Sequence, residues 1–293
     1  MTRSNFPITT ASELAALLGM ALPDLWYVAM TAETSYIYWE EAKSSGGVRT
    51  YSTPKPKLMT VQRKLHKHLF LKLAYGTNSH YGQKRKSSIT NAREHLANSL
   101  IVTRDLKSFF PSVRPDRVYK ALINEMGCPA PVARLITKLV TVKYQLPQGA
   151  PTSTDIANIV TLRLQRRLHK LAQQWGVKKF TIYCDDMTFS SDYDYIPEGF
   201  DKRVQQIIRE EGFRIHRHKG GTFNKSQSQI VTGVNITHGA SVGKTKKQWR
   251  AEHHKNVIKF RQGEISKEEF EASEKTFDGR KRYSDYVKKT AHL

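Results

Sequence analysis

"TIYCDDMTFS", residues 181–190, sets two adjacent aspartates, Asp185 and Asp186, inside an otherwise apolar run. Phe180, Ile182 and Cys184 fall on one side at period two, and Met187 and Phe189 resume after the acids, which predicts a β-hairpin with Asp185-Asp186 at its turn. A hairpin turn accepts Asp for backbone reasons alone. The pair by itself therefore leaves two readings open, a turn and a charged site.

Upstream, "NSLIVTRDLKSFFPSV" (98–113) reads as a strand, Leu100 to Asp105, in a segment stopped by Pro111. "CPAPVARLITKLVTV" (128–142) reads as a helix, and "LPQGAPTSTDIANIVTLRLQRRLHKLAQQWG" (146–176) as a loop opening a long helix that Gly176 ends. "DKRVQQIIREEGF" (201–213) is a further amphipathic helix and "QIVTGVNIT" (229–237) a further strand. Strands and helices alternate as in an α/β or α+β protein. If the strands bearing Asp105 and Asp185 are neighbours, three carboxylates converge, and such a cluster needs a cation to stay ionised. Oxygen ligands without His point to magnesium. Two such ions suit in-line phosphoryl transfer.

The 293 residues carry 48 Lys and Arg against 26 Asp and Glu, a net charge of +22. That excess calls for a polyanionic partner, nucleic acid first. No apolar run approaches the roughly 20 residues that span a bilayer, and residues 1–25 make a poor signal peptide. The two cysteines, Cys128 and Cys184, rule out a disulfide scaffold and suit a reducing cytosol. From Thr53 to Arg93 there are ten Lys and Arg and no acid, and Leu58, Val61, Leu65, Leu69 and Leu73 recur near helical spacing. A solvated helix face and a phosphate-contacting surface both fit this stretch, and the run without acids favours the latter.

The C-terminal stretch is basic too. One helix is predicted with Trp249, Val257 and Phe260 inward and Lys246, Arg250, Lys255 and Lys259 outward, with Lys247 beside them. A second opens on a capping box, Ser266 with Glu269. Further on, Arg280, Lys281 and Arg282 adjoin Tyr283 and Tyr286, an interleaving that suits base stacking and core packing equally.

These residues carry a resemblance. "YCDD" resembles the YxDD box of reverse transcriptases, "DLKSFFPS" their first catalytic strand, and "LPQGAPTS" their nucleotide-pocket loop, in the same order and spacing. "ITNAREH" (Asn91, Ala92, His95) and "IVTGVNI" (Val231, Thr232, Gly233) resemble the NAxxH and VTG elements of bacterial retron reverse transcriptases, and "KSSGGVRTYSTPKPKLMTVQ" (43–62) resembles their fingers hairpin. The resemblance covers Glu13 to Ile236. Thr154 departs from the usual Pro of the pocket loop and Cys184 from the commoner Ala; neither removes a ligand.

The resemblance implies a right-hand polymerase of α+β class with an antiparallel palm sheet carrying the YCDD hairpin. Residues 1–99 would be N-terminal helices and fingers, 100–112 palm, 113–147 a helical insertion, 148–235 palm and 236–293 a basic helical thumb. Asp105, Asp185 and Asp186 would hold two Mg²⁺ ions. Lys43, Arg49, Gln148, Gly149 and Lys219 would serve the incoming nucleotide, and Phe110 would gate its sugar, although Phe109 or Phe110 could instead be core. Tyr183, Asn91, His95, Val231, Thr232 and Gly233 would serve primer and template, residues 231–235 forming a primer-gripping strand. The basic tail (Lys246, Lys247, Arg250, Lys255, Lys259, Arg280, Lys281, Arg282) would hold a structured noncoding RNA.

The expected activity is copying that RNA into DNA from dNTPs. Synthesis would be primed at an internal guanosine 2′-OH to give branched RNA–DNA (msDNA), in anti-phage defence, with a separate effector protein, in the bacterial cytoplasm. Another bacterial lineage (group II intron-like, CRISPR-associated or abortive-infection), a non-catalytic RNA-binding protein, and a DNA-templated or RNA-making polymerase are the alternatives.

Overall fold

The structure, a computed structural model, describes residues 6–42, 46–242 and 245–290. Lys43 lies outside the described residues.

Two short helices, α1 (Ala11–Leu17) and α2 (Leu22–Met30), precede a hairpin of β1 (Tyr36–Ala42) and β2 (Val48–Pro54). Pro56 then starts α3 (Pro56–His68), a position where its missing N–H costs no hydrogen bond. Leu58, Val61 and Leu65 are buried on one face of α3, while Lys57, Arg63 and Lys67 are exposed. Short α4 (Ser88–Arg93) has a reciprocal cap between Ser87 and Thr90. After β3 (Leu100–Leu106) come α5 (Phe109–Ser112), α6 (Pro115–Met126), α7 (Ala130–Val140) and long α8 (Ser153–Gln174). Pro111 sits inside the single turn of α5 rather than stopping the segment. The hairpin β4 (Lys179–Tyr183) and β5 (Asp186–Ser191) leads to α9 (Phe200–Glu210) and β6 (Ile215–Asn224). Two-residue strands β7 (Ile230–Val231) and β8 (Val234–Asn235) precede α10 (Thr245–Arg261) and α11 (Lys267–Thr290).

The main sheet is antiparallel, in the order β4-β5-β3-β6. Its two faces follow from the period-two alternation. Val102, Leu106, Phe180, Ile182, Met187 and Phe189 fall on one face and join the large core built by α6, α7, α8 and α9. Each such buried side chain contributes about 1.5–3 kcal/mol relative to exposure. The opposite face carries Ile101, which packs with Ile89, Ala92, Val231, Val234 and Val287 in a second, smaller core. That second core seats α4, the β7-β8 hairpin and the end of α11 against one half of the sheet. Helices packed on an antiparallel sheet, most of them on one face, make the expected α+β architecture.

One irregularity positions the site. Arg104 pairs with Gly220 and Leu106 with Ile215, so His216 to Lys219 stand opposite Asp105 alone. Gly220 turns this bulge at φ +84°, and a Cβ there would meet the Thr103 carbonyl oxygen at 2.3 Å. Only glycine fits.

Candidate active site

The β4-β5 turn is Cys184-Asp185, not Asp185-Asp186. Asp186 opens β5, paired with Tyr183 and, across the sheet, with Asp105. Cys184 takes the left-handed conformation, φ +61°, and the Leu106 amide donates to the Asp185 carbonyl at 3.0 Å, tying the turn to β3. This register brings Asp105 and Asp186 together on one face, with Asp185 at the adjoining turn. Burial first, then neighbouring Asp105, holds the Asp185 carboxyl above its ordinary range; burial, then Asp185 and Asp105, does the same for Asp186. Lys219 Nζ lies 3.4 Å from Asp105 Oδ2, delivered by the bulge. A cleft of about 240 Å³ is lined by Thr103, Asp105, Asp186, Lys219, Thr232 and Gly233, among others. Cys184 is half-buried, and burial pushes its thiol up, so it is an unreactive neighbour rather than a thiolate.

Among the described residues, no three His, Cys, Asp or Glu side chains have the spacing of a closed metal site. What fits a cation here is the electrostatics: one buried and two half-buried carboxylates of like charge, no His among them, and hard oxygen donors of the kind Mg²⁺ takes.

The β1-β2 hairpin closes over the same region. The Ser52 amide donates to the Gln148 carbonyl at 2.7 Å, and Gly149, φ +101°, faces Thr53 and Tyr51. Arg49 is held charged, above its ordinary value, first by its hydrogen bond with Tyr51; Asp185 adds to the field around it. Phe109 is buried in the main core and Phe110 is half-buried against that core, edge-on to Phe109 at 5.5 Å between ring centroids. Thr154 sits against Gly82, where any Cβ would collide with its methyl at 1.8 Å.

The expected primer-gripping strand is a tight hairpin instead. Thr232 and Gly233 form its turn at φ +46° and +80°, a strained setting for a β-branched residue. It is held from behind: Thr232 Oγ1 donates to the Ser88 carbonyl at 2.9 Å, and Asn91 Nδ2 lies 3.5 Å from that hydroxyl. Val231 is fully buried in the second core.

His95, also fully buried, places Nδ1 2.8 Å from Ser190 Oγ and Nε2 2.7 Å from Thr181 Oγ1, stitching β4 to β5. Asn91, His95 and Val231 are therefore inside the protein, where they support the cleft without lining it. Burial pushes His95 down to about 3. Tyr183 is half-buried, edge-on to Tyr81 at 5.2 Å. Its phenol is raised by burial, with Cys184 and Tyr283 contributing.

In the tail, Trp249 and Val257 are half-buried, but Phe260 is more exposed than expected and stacks on Phe270 at 4.4 Å. The capping box forms, with the Ser266 amide donating to Glu269 Oε2 at 2.8 Å and the Glu269 amide to Ser266 Oγ at 3.2 Å. Lys247, Arg250, Lys255, Lys281 and Arg282 are exposed, and Lys246 and Lys259 half-buried. Arg280 is committed to Glu252 across the helix pair at 2.6 Å.

Sequence reasoning missed the stacked pair Trp39–Tyr51, centroids 4.1 Å apart, beside Gly149. The two residues are direct partners in the β1-β2 register.

Residues 41–236 match the reverse transcriptase (RNA-dependent DNA polymerase) family. Among curated proteins the chain is 32% identical over 259 residues to the retron Mx65 reverse transcriptase of Myxococcus xanthus, covering 80% of this chain and 60% of that one. It is 33% identical over 259 residues to the retron Mx162 reverse transcriptase of the same organism, covering 78% and 53%. With the retron Ec86 reverse transcriptase of Escherichia coli it shares 30% over 234 residues, 76% of this chain and 71% of that protein. The chain thus spans 53–60% of the length of the two Myxococcus relatives.

Proposed function

From the premise that the chain belongs to the reverse transcriptase family, in its retron branch, we propose that it is an RNA-directed DNA polymerase that copies a structured noncoding RNA into single-stranded DNA. The observation that carries this reading is Asp105 facing Asp186 across β3 and β5, in one cleft with Lys219 and the Thr232-Gly233 turn.

Asp105, Asp185 and Asp186 are the residues that would hold two Mg²⁺ ions. Bound there, magnesium supplies activation of the primer hydroxyl and stabilisation of the leaving oxygen. Arg49, with Lys43, binds the triphosphate, for which the guanidinium fork is suited. Phe110 abuts the sugar, and Gln148-Gly149 bring backbone close to the base pair. Lys219, beside Asp105, gives a proton to the departing pyrophosphate in this reading, and the Thr232-Gly233 turn supports the primer end with Tyr183. The exposed cations of α10 and α11 grip the RNA. Priming from an internal guanosine 2′-OH, a branched msDNA product, a role in anti-phage defence with an effector protein, and a site of action in the bacterial cytoplasm complete the proposal and rest on the family.

The test is primer extension by the full chain on an annealed RNA template and DNA primer with Mg²⁺, alongside sequencing of the nucleic acid that copurifies. Incorporation of dNTPs and a copurifying RNA joined to DNA through a 2′ linkage are expected. Absence of extension, or preference for NTPs, overturns the polymerase reading; copurifying DNA without the branch overturns the priming.

A further inference from the structure

We propose that the groove between α9 and the outer edge of β6 holds the sugar–phosphate backbone of a single strand of the RNA, beside the catalytic cleft. β6 is the last strand of the main sheet and pairs only with β3 among the described strands, so its far edge is open. α9 buries Val204, Ile207 and Ile208 and leaves Gln205 and Arg209 on the groove wall. Arg104 ties helix and strand together: its guanidinium donates to Asp201 Oδ1 at 2.7 Å and to the Gly221 carbonyl at 3.2 Å. The result is a groove of about 1240 Å³. It shares Arg104, Lys219 and Gly220 with the cleft that holds Asp105 and Asp186, so the two are continuous.

The charge on its walls is one-sided. Lys107, Arg209, Arg214 and Arg217 are exposed, and none of their side chains has a hydrogen-bond or ion-pair partner among the described residues. The one carboxylate among the described residues of the wall, Asp201, is already neutralised by Arg104. By contrast, Arg163 and Arg167 of α8 are both paired with Glu211. Four unpaired cations in one groove repel one another, and a polyanion laid between them removes that cost. The groove exceeds the roughly 300–1,000 Å³ of small-ligand sites, so a strand fits it better than one nucleotide. Apart from the imidazoles its one aromatic ring is Phe213, which is buried and covered by the Arg117 guanidinium 4.0 Å from its centroid. No face is left for a base, so the contacts are to the backbone and independent of sequence. The ribose is what remains to be read. Nδ1 of His216 accepts from the His218 amide at 3.3 Å, which in the neutral ring puts the proton on Nε2, a donor for a 2′-hydroxyl.

The inference rests on RNA being the polymer on which this chain works, and it is tested separately from catalysis. The probes are an unstructured oligouridylate and the deoxy strand of the same sequence, titrated against the full chain over a salt series. The wild type should bind the RNA more tightly. Arg209→Gln, Arg214→Gln and Arg217→Gln combined should flatten the slope of log affinity against log salt by about 2, at ~0.7 per phosphate contact of a single strand. The comparison is Lys120→Gln, Arg134→Gln and Lys138→Gln combined, at three exposed positions of α6 and α7 that do not line the groove. It removes the same charge and should flatten the slope by less than ~1. Equal flattening in the two triple variants, or a wild type that prefers the DNA, overturns the site. An unchanged slope in the groove variant overturns it too, and aggregation of that variant would then make these cations a guard against edge-to-edge pairing of β6. Primer extension by the wild type is assayed in parallel. Extension without groove-specific flattening strikes the groove alone, and groove-specific flattening without extension strikes the polymerase reading alone.

Discussion

Asp105 and Asp186 face each other across β3 and β5, and burial, with Asp185 and Asp105 alongside, holds the Asp186 carboxyl above its ordinary range. Like charges crowded together cost stability unless a cation or a proton neutralises them. Asp186→Asn should lower primer extension roughly a thousandfold, since it removes several kcal/mol of charge stabilisation in the transition state. In EDTA the same variant should melt at the wild-type temperature or higher, by about 2–4 °C for each kcal/mol of repulsion relieved. Thermal melts paired with extension assays check both halves. Retained activity would remove Asp186 from the site.

The two phenylalanines after β3 should separate stability from selectivity. Phe109→Ala empties a core position and should cost about 3–5 kcal/mol in urea unfolding. Phe110→Ala should cost far less and should raise NTP incorporation roughly tens-fold, the worth of one steric contact at a sugar. An unchanged dNTP/NTP ratio in Phe110→Ala would move the gate elsewhere.

Gly220→Ala should act through its neighbour. The added Cβ forces the bulge away from Thr103 and takes Lys219 from Asp105. Activity should fall about tenfold and stability by about 1–2 kcal/mol. A double-mutant cycle with Lys219→Ala measures the coupling: the glycine change should add little to activity loss once Lys219 is gone. Full additivity would mean the bulge has no part in placing the lysine.

His95 should make the fold acid-sensitive. Its folded value is pushed down to about 3 by burial, against about 6.5 in the unfolded chain. Above pH 6.5 both states are neutral and the stability is intact. As pH falls from 6.5 towards 3 the unfolded chain gains a proton that the fold refuses, at about 1.4 kcal/mol per pH unit. Urea unfolding at pH 7 and pH 5 should therefore show a stability change that is less favourable in the wild type than in His95→Asn by about 2 kcal/mol, the contributions of the other titrating groups being common to both. Equal losses in the two proteins would show that His95 is not the group responsible.

What the sequence made legible was whatever period and chemistry encode locally. The hairpin strands around Asp185, the helix through Leu58 and Leu65, and the Ser266–Glu269 cap are each written in a few neighbouring residues, and all three form. The three aspartates could be named, but their meeting depends on strand order, which no local pattern states. The errors have the same source. His95 and Asn91 were polar residues in a motif, and polarity alone does not say whether a side chain faces solvent or bridges Thr181 and Ser190 in the interior. The cross-helix tie of Arg280 to Glu252 and the bulge that presents Lys219 are products of register, set by pairing partners far along the chain.

The place of β3 inside the main sheet has a consequence for how the protein is made. Both neighbours of β3 are encoded downstream of it, and Asp105 and Asp186 are separated by 186 − 105 = 81 positions. At ribosomal speeds of roughly 5–20 residues per second, β3 waits on the order of 4–16 s after its own synthesis before its first partner exists. During that interval an apolar strand has two unpaired edges, the condition in which nascent chains aggregate or recruit chaperones. A translation product that ends before residue 185 carries only Asp105 of the three carboxylates, and its β3 never meets the strand that pairs with it.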